Sequence, residues 1–335
     1  MKVGFDGEIK LEFHGARVSS NGGLLAYRDL DHALGLFDSV SASFIDKRIG
    51  RNIQHAMPTL LRQSIYSRLA GYDDVNDAEL LSGDPVMREI TGKKDIGKQA
   101  ASANTMGRFE TDILIQQENL RNLSDINGKW VQKAMSKTSH QRIILDMDSS
   151  VSPVHGEQEG SAYNGHFGCT CFHPLFCFNQ FGDCEGVLLR SGNVHSADRW
   201  KEVLEPIVKR YEIKKNRKYF RGDAAFAKPE IYNYLEENSY LYAIRLPAIY
   251  ILHEKIRHLL IRPVGRPPKK PIVLLHEFPY QAASWDQPRR VVAKVEWHQG
   301  ELFPRVGFIV TNMSAKPKGV VHFYNGRGTA EQWIV

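Results

Sequence analysis

No stretch of the 335 residues approaches the ~18 consecutive apolar residues of a membrane span. The opening Met1-Lys2-Val3-Gly4-Phe5-Asp6 lacks the continuous apolar segment of a secretory leader. A membrane-bound or exported protein is therefore not expected, and the expected location is the cytoplasm. Cysteine is scarce, with only Cys169, Cys171, Cys177 and Cys184. Disulfides are not expected without an oxidising compartment. The spacing C-x-C-x5-C-x6-C lacks paired CxxC elements, so His155, His166, His173 and His195 nearby do not make a zinc site the favoured reading. Cys169 and Cys171 read instead as small, partly buried thiols on one strand face. No internal repeat is visible.

What the chain does have is the balance of a folded protein, with 42% hydrophobic and 24% charged residues, at a length that suits more than one domain. Its net charge of +6 is unevenly spread. Residues 1–138 hold 18 Lys/Arg against 18 Asp/Glu, so the whole excess lies in residues 139–335. Arg199 to Lys218 carries eight basic residues against three acidic, and Lys255 to Lys270 carries six against none. Such clustering suits a polyanionic partner, nucleic acid first, although a solvated enzyme face has the same composition.

Residues 1–20 read as a short β arm, and Gly23 to about Leu123 as helical. Leu60, Leu61, Ile65, Tyr66 and Leu69 recur at three- and four-residue spacings before Gly71 stops that helix. Ser102–Leu123 predicts one further helix with Met106, Phe109, Ile113, Leu114 and Leu120 on a stripe. At Gln141 the pattern changes. Arg142–Asp148 is an apolar strand ending in acid, followed by β-rich runs at Tyr163–Phe178 and Gly186–Arg190. A helix spans about Ala197–Tyr211, with Pro206 predicting a kink or break. Then come the strand Lys218–Gly222 capped by Asp223, a helix from Pro229 to Glu237, and the strand Tyr240–Arg245. The order is β-β-β-α-β-α-β. Pro271–Phe278, Arg290–His298 and Arg305–Asn312 are three further strands, the second alternating like a half-exposed antiparallel strand. A last helix is predicted from about Asn325.

Open α/β sheets bind ligands at the carboxyl ends of their strands, and here two strands end in acid, Asp148 and Asp223. In this element order the fourth strand lies beside the first, so the carboxylates become neighbours, which is costly without a cation between them. A third acid from a helix crossing that edge would suit two divalent ions about 4 Å apart, as in phosphodiester chemistry. The candidate is Glu331, four residues after Arg327 and seven after Tyr324; alone, Arg327 and Glu331 read as an exposed i,i+4 ion pair. Asp146 and Asp148 face the same way, so Asp146 stays open as the alternative first ligand. Asp148 is preferred because it stands closer to the sheet edge.

Together, Leu145-Asp146-Met147-Asp148-Ser149-Ser150, Arg221-Gly222-Asp223-Ala224-Ala225-Phe226 and the pattern Tyr324-x2-Arg327-x3-Glu331 resemble the DDE transposases of bacterial insertion sequences. The likeness is to the group-1 DDE type catalogued as thirteen-eighty. His155–Gly160, Tyr163-Asn164-Gly165, His173–Phe176 and Arg68–Asp74 also resemble that group, so the likeness spans nearly the whole chain. It implies an RNase H-like mixed sheet flanked by helices, with an all-α N-terminal domain and a β-rich insertion before the last catalytic helix. The implied division is residues 1–138, end-binding; 139–246, first part of the catalytic core; 247–320, the insertion; and 321–335, the start of the catalytic helix.

By the resemblance, Asp148, Asp223 and Glu331 form a triad for two Mg²⁺ ions, with Mn²⁺ as a substitute. Tyr324 and Arg327 would contact DNA near the scissile phosphate. Lys214, Lys215, Arg217 and Lys218, with Lys209 and Arg210 before them, would bring positive charge to the cut site. The Gly265-Arg266-Pro267 stretch resembles half of a minor-groove hook, with Arg266 as a candidate DNA contact, although a solvated loop of the β-rich insertion is the favoured reading. The implied partners are the terminal inverted repeats and target DNA, bound by a homodimer, with no membrane. The implied activity is metal-dependent strand cleavage and strand transfer. The family carries a Lys about two turns beyond the Glu, a position past Val335, so a truncated copy acting only as a DNA-binding protein is an alternative. An RNase H-like nuclease is another.

Overall fold

The computed structural model describes residues 2–3, 6–10, 19–41, 43–49, 53–92, 99–137, 141–212, 216–265 and 269–333, the side chains of residues 2–10, 39–41, 330, 331 and 333 excepted. The chain forms two compact units, Met1–Lys137 and Thr138–Val335.

The first unit opens with an antiparallel pair, β1 (Lys2–Val3) and β2 (Asp6–Lys10). Seven helices follow: α1 (Leu24–Leu34), α2 (Leu36–Ser41), α3 (Met57–Leu69), α4 (Ala78–Leu81), α5 (Pro85–Ile90), α6 (Ala103–Arg108) and α7 (Gln117–Met135). Gly35, at φ 58°, closes α1 in the left-handed region where glycine carries no Cβ penalty. Leu60, Leu61 and Tyr66 of α3 join Met87, Ile90, Met106, Phe109 and Ile113 in one core, while Leu69 is exposed. The single helix predicted over 102–123 is broken: Phe109–Leu114 is a π-helical turn between α6 and α7, and Leu120 is exposed. Asn119 takes the inward position instead. Its side chain accepts from Ile45 N–H at 2.9 Å and donates to the Ile45 and Ile113 carbonyls, so a polar residue occupies what an apolar stripe would predict.

The second unit is built on an eight-stranded sheet. Its strands are β3 (Arg142–Ser149), β7 (Leu175–Asn179), β8 (Cys184–Leu188), β9 (Arg217–Gly222), β10 (Tyr240–Leu246), β11 (Ile272–Tyr280), β12 (Arg289–Trp297) and β13 (Arg305–Thr311), in the order β11-β12-β13-β10-β9-β3-β7-β8. β9 is parallel to both β3 and β10, and the other neighbours are antiparallel. The stretch β8-β7-β3-β9-β10 is the mixed RNase H-like sheet expected from the β-β-β-α-β-α-β order. The run Tyr163–Phe178 divides between two sheets. β4 (Ser152–Pro153), β5 (Ala162–Asn164) and β6 (Cys169–Phe172) form a separate three-stranded sheet, and only β7 joins the large one. The four cysteines are free thiols.

Helices α8 (Trp200–Arg210), α9 (Pro229–Glu237), α10 (Tyr250–Lys255) and α11 (Pro317–Asn325) complete the unit. No break occurs at Pro206, because α8 buries Trp200, Val203, Leu204, Ile207 and Val208, which holds it across the missing N–H. Tyr232 of α9 stacks on Tyr242 of β10 with ring centroids 5.6 Å apart, and Val320 and Val321 of α11 pack with Ala243, Val292 and Ile309. Adjacent strand residues point to opposite faces, so α9 and α11 cover opposite sides of the sheet. Covering on both sides explains why β12 is not half-exposed: Val291, Val292, Ala293 and Val295 are all buried. Helix α10 was not foreseen. α11 starts eight residues earlier than predicted and gives way at Gly326 to a 3₁₀ segment, Gly326–Trp333. No described helix is long and apolar enough to cross a membrane.

Candidate active site

β3 and β9 pair in parallel from Arg142↔Arg217 to Met147↔Gly222. The next step of that register sets Asp148 beside Asp223, on strands about 4.8 Å apart. Side chains two residues apart share a face, so Asp146, Asp148, Arg221 and Asp223 all look the same way. Arg221 is opposite Ala243 of β10, and Ala243 lies under α11. The acids therefore sit on the α11 side, at the carboxyl ends of the parallel strands.

Asp148 is 7% exposed. Ser149 N–H donates to its Oδ1 at 2.9 Å, and Arg327 Nη2 stands 2.7 Å from its Oδ2. Arg327 belongs to the 3₁₀ segment, which packs against β3. Asp223 is half-buried and caps the one-turn 3₁₀ helix Ala224–Phe226, its Oδ1 accepting from Ala225 N–H at 2.9 Å. Two register steps behind this rim lies a sealed ion pair. Arg221 Nε and Nη2 donate to the two oxygens of Asp146 at 2.6 and 2.5 Å, and Asp146 is fully buried. Burial raises the Asp146 carboxyl above its ordinary value, with Arg221 and then Arg327 pulling it back.

Among the described residues no group of three or more His, Cys, Asp or Glu side chains stands arranged to hold a metal ion, and the Glu331 side chain lies outside them. Asp148 and Asp223 offer only carboxylate oxygens, the donor type of hard divalent cations, and so fit such an ion in kind.

Residues 1–335 match the family model described as transposase DDE domain, group 1. The chain belongs to that family. Group 1 DDE transposases act with divalent metal ions. No curated protein matches the chain. Among solved structures it is similar to a piggyBac transposase, titled as a synaptic complex with hairpin DNA, at 11% identity and a TM-score of 0.42. The likeness covers 89% of this chain and 62% of that one, so the chain spans less than two thirds of that protein's length.

In this group 1 DDE chain, Arg327 meets an acid instead of standing free for DNA. Tyr324 is partly buried with the α11 cluster. Glu331 has its backbone in the 3₁₀ segment; the four-residue spacing was read on an α-helix, whereas this segment has about three residues per turn. Arg217 and Lys218 open β9, so they lie a strand's length from Asp223, about 17–20 Å at 3.3 Å per residue, and not beside it. Arg210 is buried against Glu185 at 2.6 Å, with Tyr211 Oη donating to the same carboxylate at 2.6 Å, so it braces α8 on β8. Lys209 pairs on the surface with Glu205. Lys214, Lys215 and Arg266 lie outside the described residues. Sequence reasoning missed Arg221. The available signal was that it precedes Asp223 by two residues, as Asp146 precedes Asp148.

Proposed function

We propose that this protein is a DNA transposase of a bacterial insertion sequence, which cleaves phosphodiester bonds at the element's ends and transfers the freed 3′-hydroxyl to another strand. The observation that carries the reading is the register that brings Asp148 and Asp223 together on the α11 face, with the Glu331-bearing segment packed on β3. Asp148, Asp223 and Glu331 would hold two Mg²⁺ ions, which Mn²⁺ could replace. Such ions, when bound, lower the pKa of the attacking water or hydroxyl and offset charge on the leaving oxygen. Asp146 is set aside as a ligand, because both its oxygens are taken by Arg221.

The chain's own groups do the rest. Ser149 N–H and Ala225 N–H each fix one oxygen of an acid, which limits rotation of the carboxylates before DNA arrives. Arg327 leaves Asp148 for a backbone phosphate as the site loads, and Tyr324 stands one helical turn before it. No covalent protein–DNA intermediate is required, so no nucleophilic Ser or Tyr is needed. Arg217 and Lys218 would grip DNA away from the scissile phosphate, and Lys214, Lys215 and Arg266 are further candidate DNA contacts. Residues 1–138 would bind the terminal inverted repeats, a homodimer would assemble on the DNA, and the work would take place at the bacterial nucleoid.

The test is a gel assay with end-containing DNA and Mg²⁺. Asp223→Asn and Glu331→Gln are each expected to lower cleavage by roughly 10³-fold. Parent-level cleavage by either variant overturns the assignment.

A further inference from the structure

Arg221 does more than neutralise Asp146. While Nε and Nη2 hold the carboxylate, Nη1 donates to the Phe323 carbonyl at 2.9 Å, in the last turn of α11. The guanidinium also lies over the Phe323 ring, 5.2 Å from its centroid. The chain then passes so close that a Cβ at position 326 would collide with Nη1. Gly326 has an ordinary helical φ of −64°, so what its missing Cβ provides is room for the Arg221 guanidinium, which three hydrogen bonds hold in place. One side chain thus touches β3, the end of α11 and the first residue of the segment that carries Arg327 and Glu331.

We propose that Arg221 is a positioning residue for the metal site, fixing the height at which the Gly326–Trp333 segment crosses Asp148 and Asp223. This rests on the metal-site reading above. A lysine could neutralise Asp146. Only a planar fork with five donors can serve the carboxylate and the Phe323 carbonyl together. A residue present solely to neutralise Asp146 would place no demand on position 326.

The experiment titrates Mn²⁺ alone, in the absence of DNA, into the full chain and follows the spin-resonance signal of free and bound ion, with thermal unfolding measured in parallel. Arg221→Lys and Gly326→Ala are expected to bind Mn²⁺ about 10–100-fold more weakly than the parent, while unfolding close to the parent's temperature. Should Arg221→Lys fail to fold, Gly326→Ala decides alone, because it leaves both charges of the ion pair in place. If both variants titrate like the parent while Asp223→Asn loses Mn²⁺, the positioning role is wrong and the metal site stands. If Asp223→Asn also titrates like the parent, the metal-site reading fails and takes the proposal with it.

Discussion

Asp146 and Asp148 stand two residues apart on one strand, look the same way, and each meets an arginine, yet the two pairs are built differently. Asp146 gives both oxygens to one fork, at 2.6 and 2.5 Å, with side-chain exposures of 7% and 0% for arginine and acid. Asp148 gives Oδ2 to one Nη2 of Arg327 and Oδ1 to a backbone N–H, with 10% of each side chain exposed. A bidentate, sealed pair has no oxygen to offer a newcomer. A pair at the strand's end, made to a segment that arrives from elsewhere in the sequence, can be exchanged. One aspartate therefore serves as architecture and the other is the candidate for a site, although they stand only two positions apart.

The largest effect should come from breaking the sealed pair. Asp146→Ala strands a buried guanidinium and is expected to cost about 3–5 kcal/mol in urea unfolding. A loss below about 1 kcal/mol would show that the pair is not closed to water. The exchangeable pair should respond in another observable. Arg327→Gln removes the cation competing for Asp148 Oδ2, so Mn²⁺ should bind roughly tenfold more tightly without DNA, equivalent to about 1.4 kcal/mol. Weaker Mn²⁺ binding in calorimetry would mean that Arg327 supports the ion site instead of guarding it.

A third arginine–carboxylate pair sharpens the contrast by titrating. Partial burial pushes the Glu236 carboxyl up, but hydrogen bonds from Arg289, Tyr242 and Gln287 outweigh it and hold it below its ordinary value. A depressed acid stabilises the fold above its unfolded pKa, about 4.3, and loses that contribution as pH falls through the folded value. Glu236→Gln should therefore cost about 1–2 kcal/mol at pH 7, and the gap to the parent should close below about pH 4. A gap that does not narrow on acidification would assign the loss to packing.

The core element order, and from it the adjacency of β3 and β9, was legible because apolar runs ending in acid and amphipathic stretches are local signals. Where reasoning failed, the missing information was non-local or directional. The basic stretch up to Lys218 leads into the strand of Asp223, but a strand has two ends, and the charge stands at the far one. Arg221 was quoted within a motif, yet its partners Asp146 and Phe323 are 75 and 102 residues away, which no periodicity reveals. Asn119 was invisible because it satisfies carbonyls of two other segments from an inward position that the stripe gave to leucine. The close passage of Gly326 over Arg221 is again a contact across the fold.

Helix α11 is seated on β10 and on all three strands β11, β12 and β13. Because that helix leads directly into the Gly326–Trp333 segment, the outer strands support the backbone that carries Arg327 and Glu331. A lesion in those outer strands would thus be transmitted to the candidate site along a single helix.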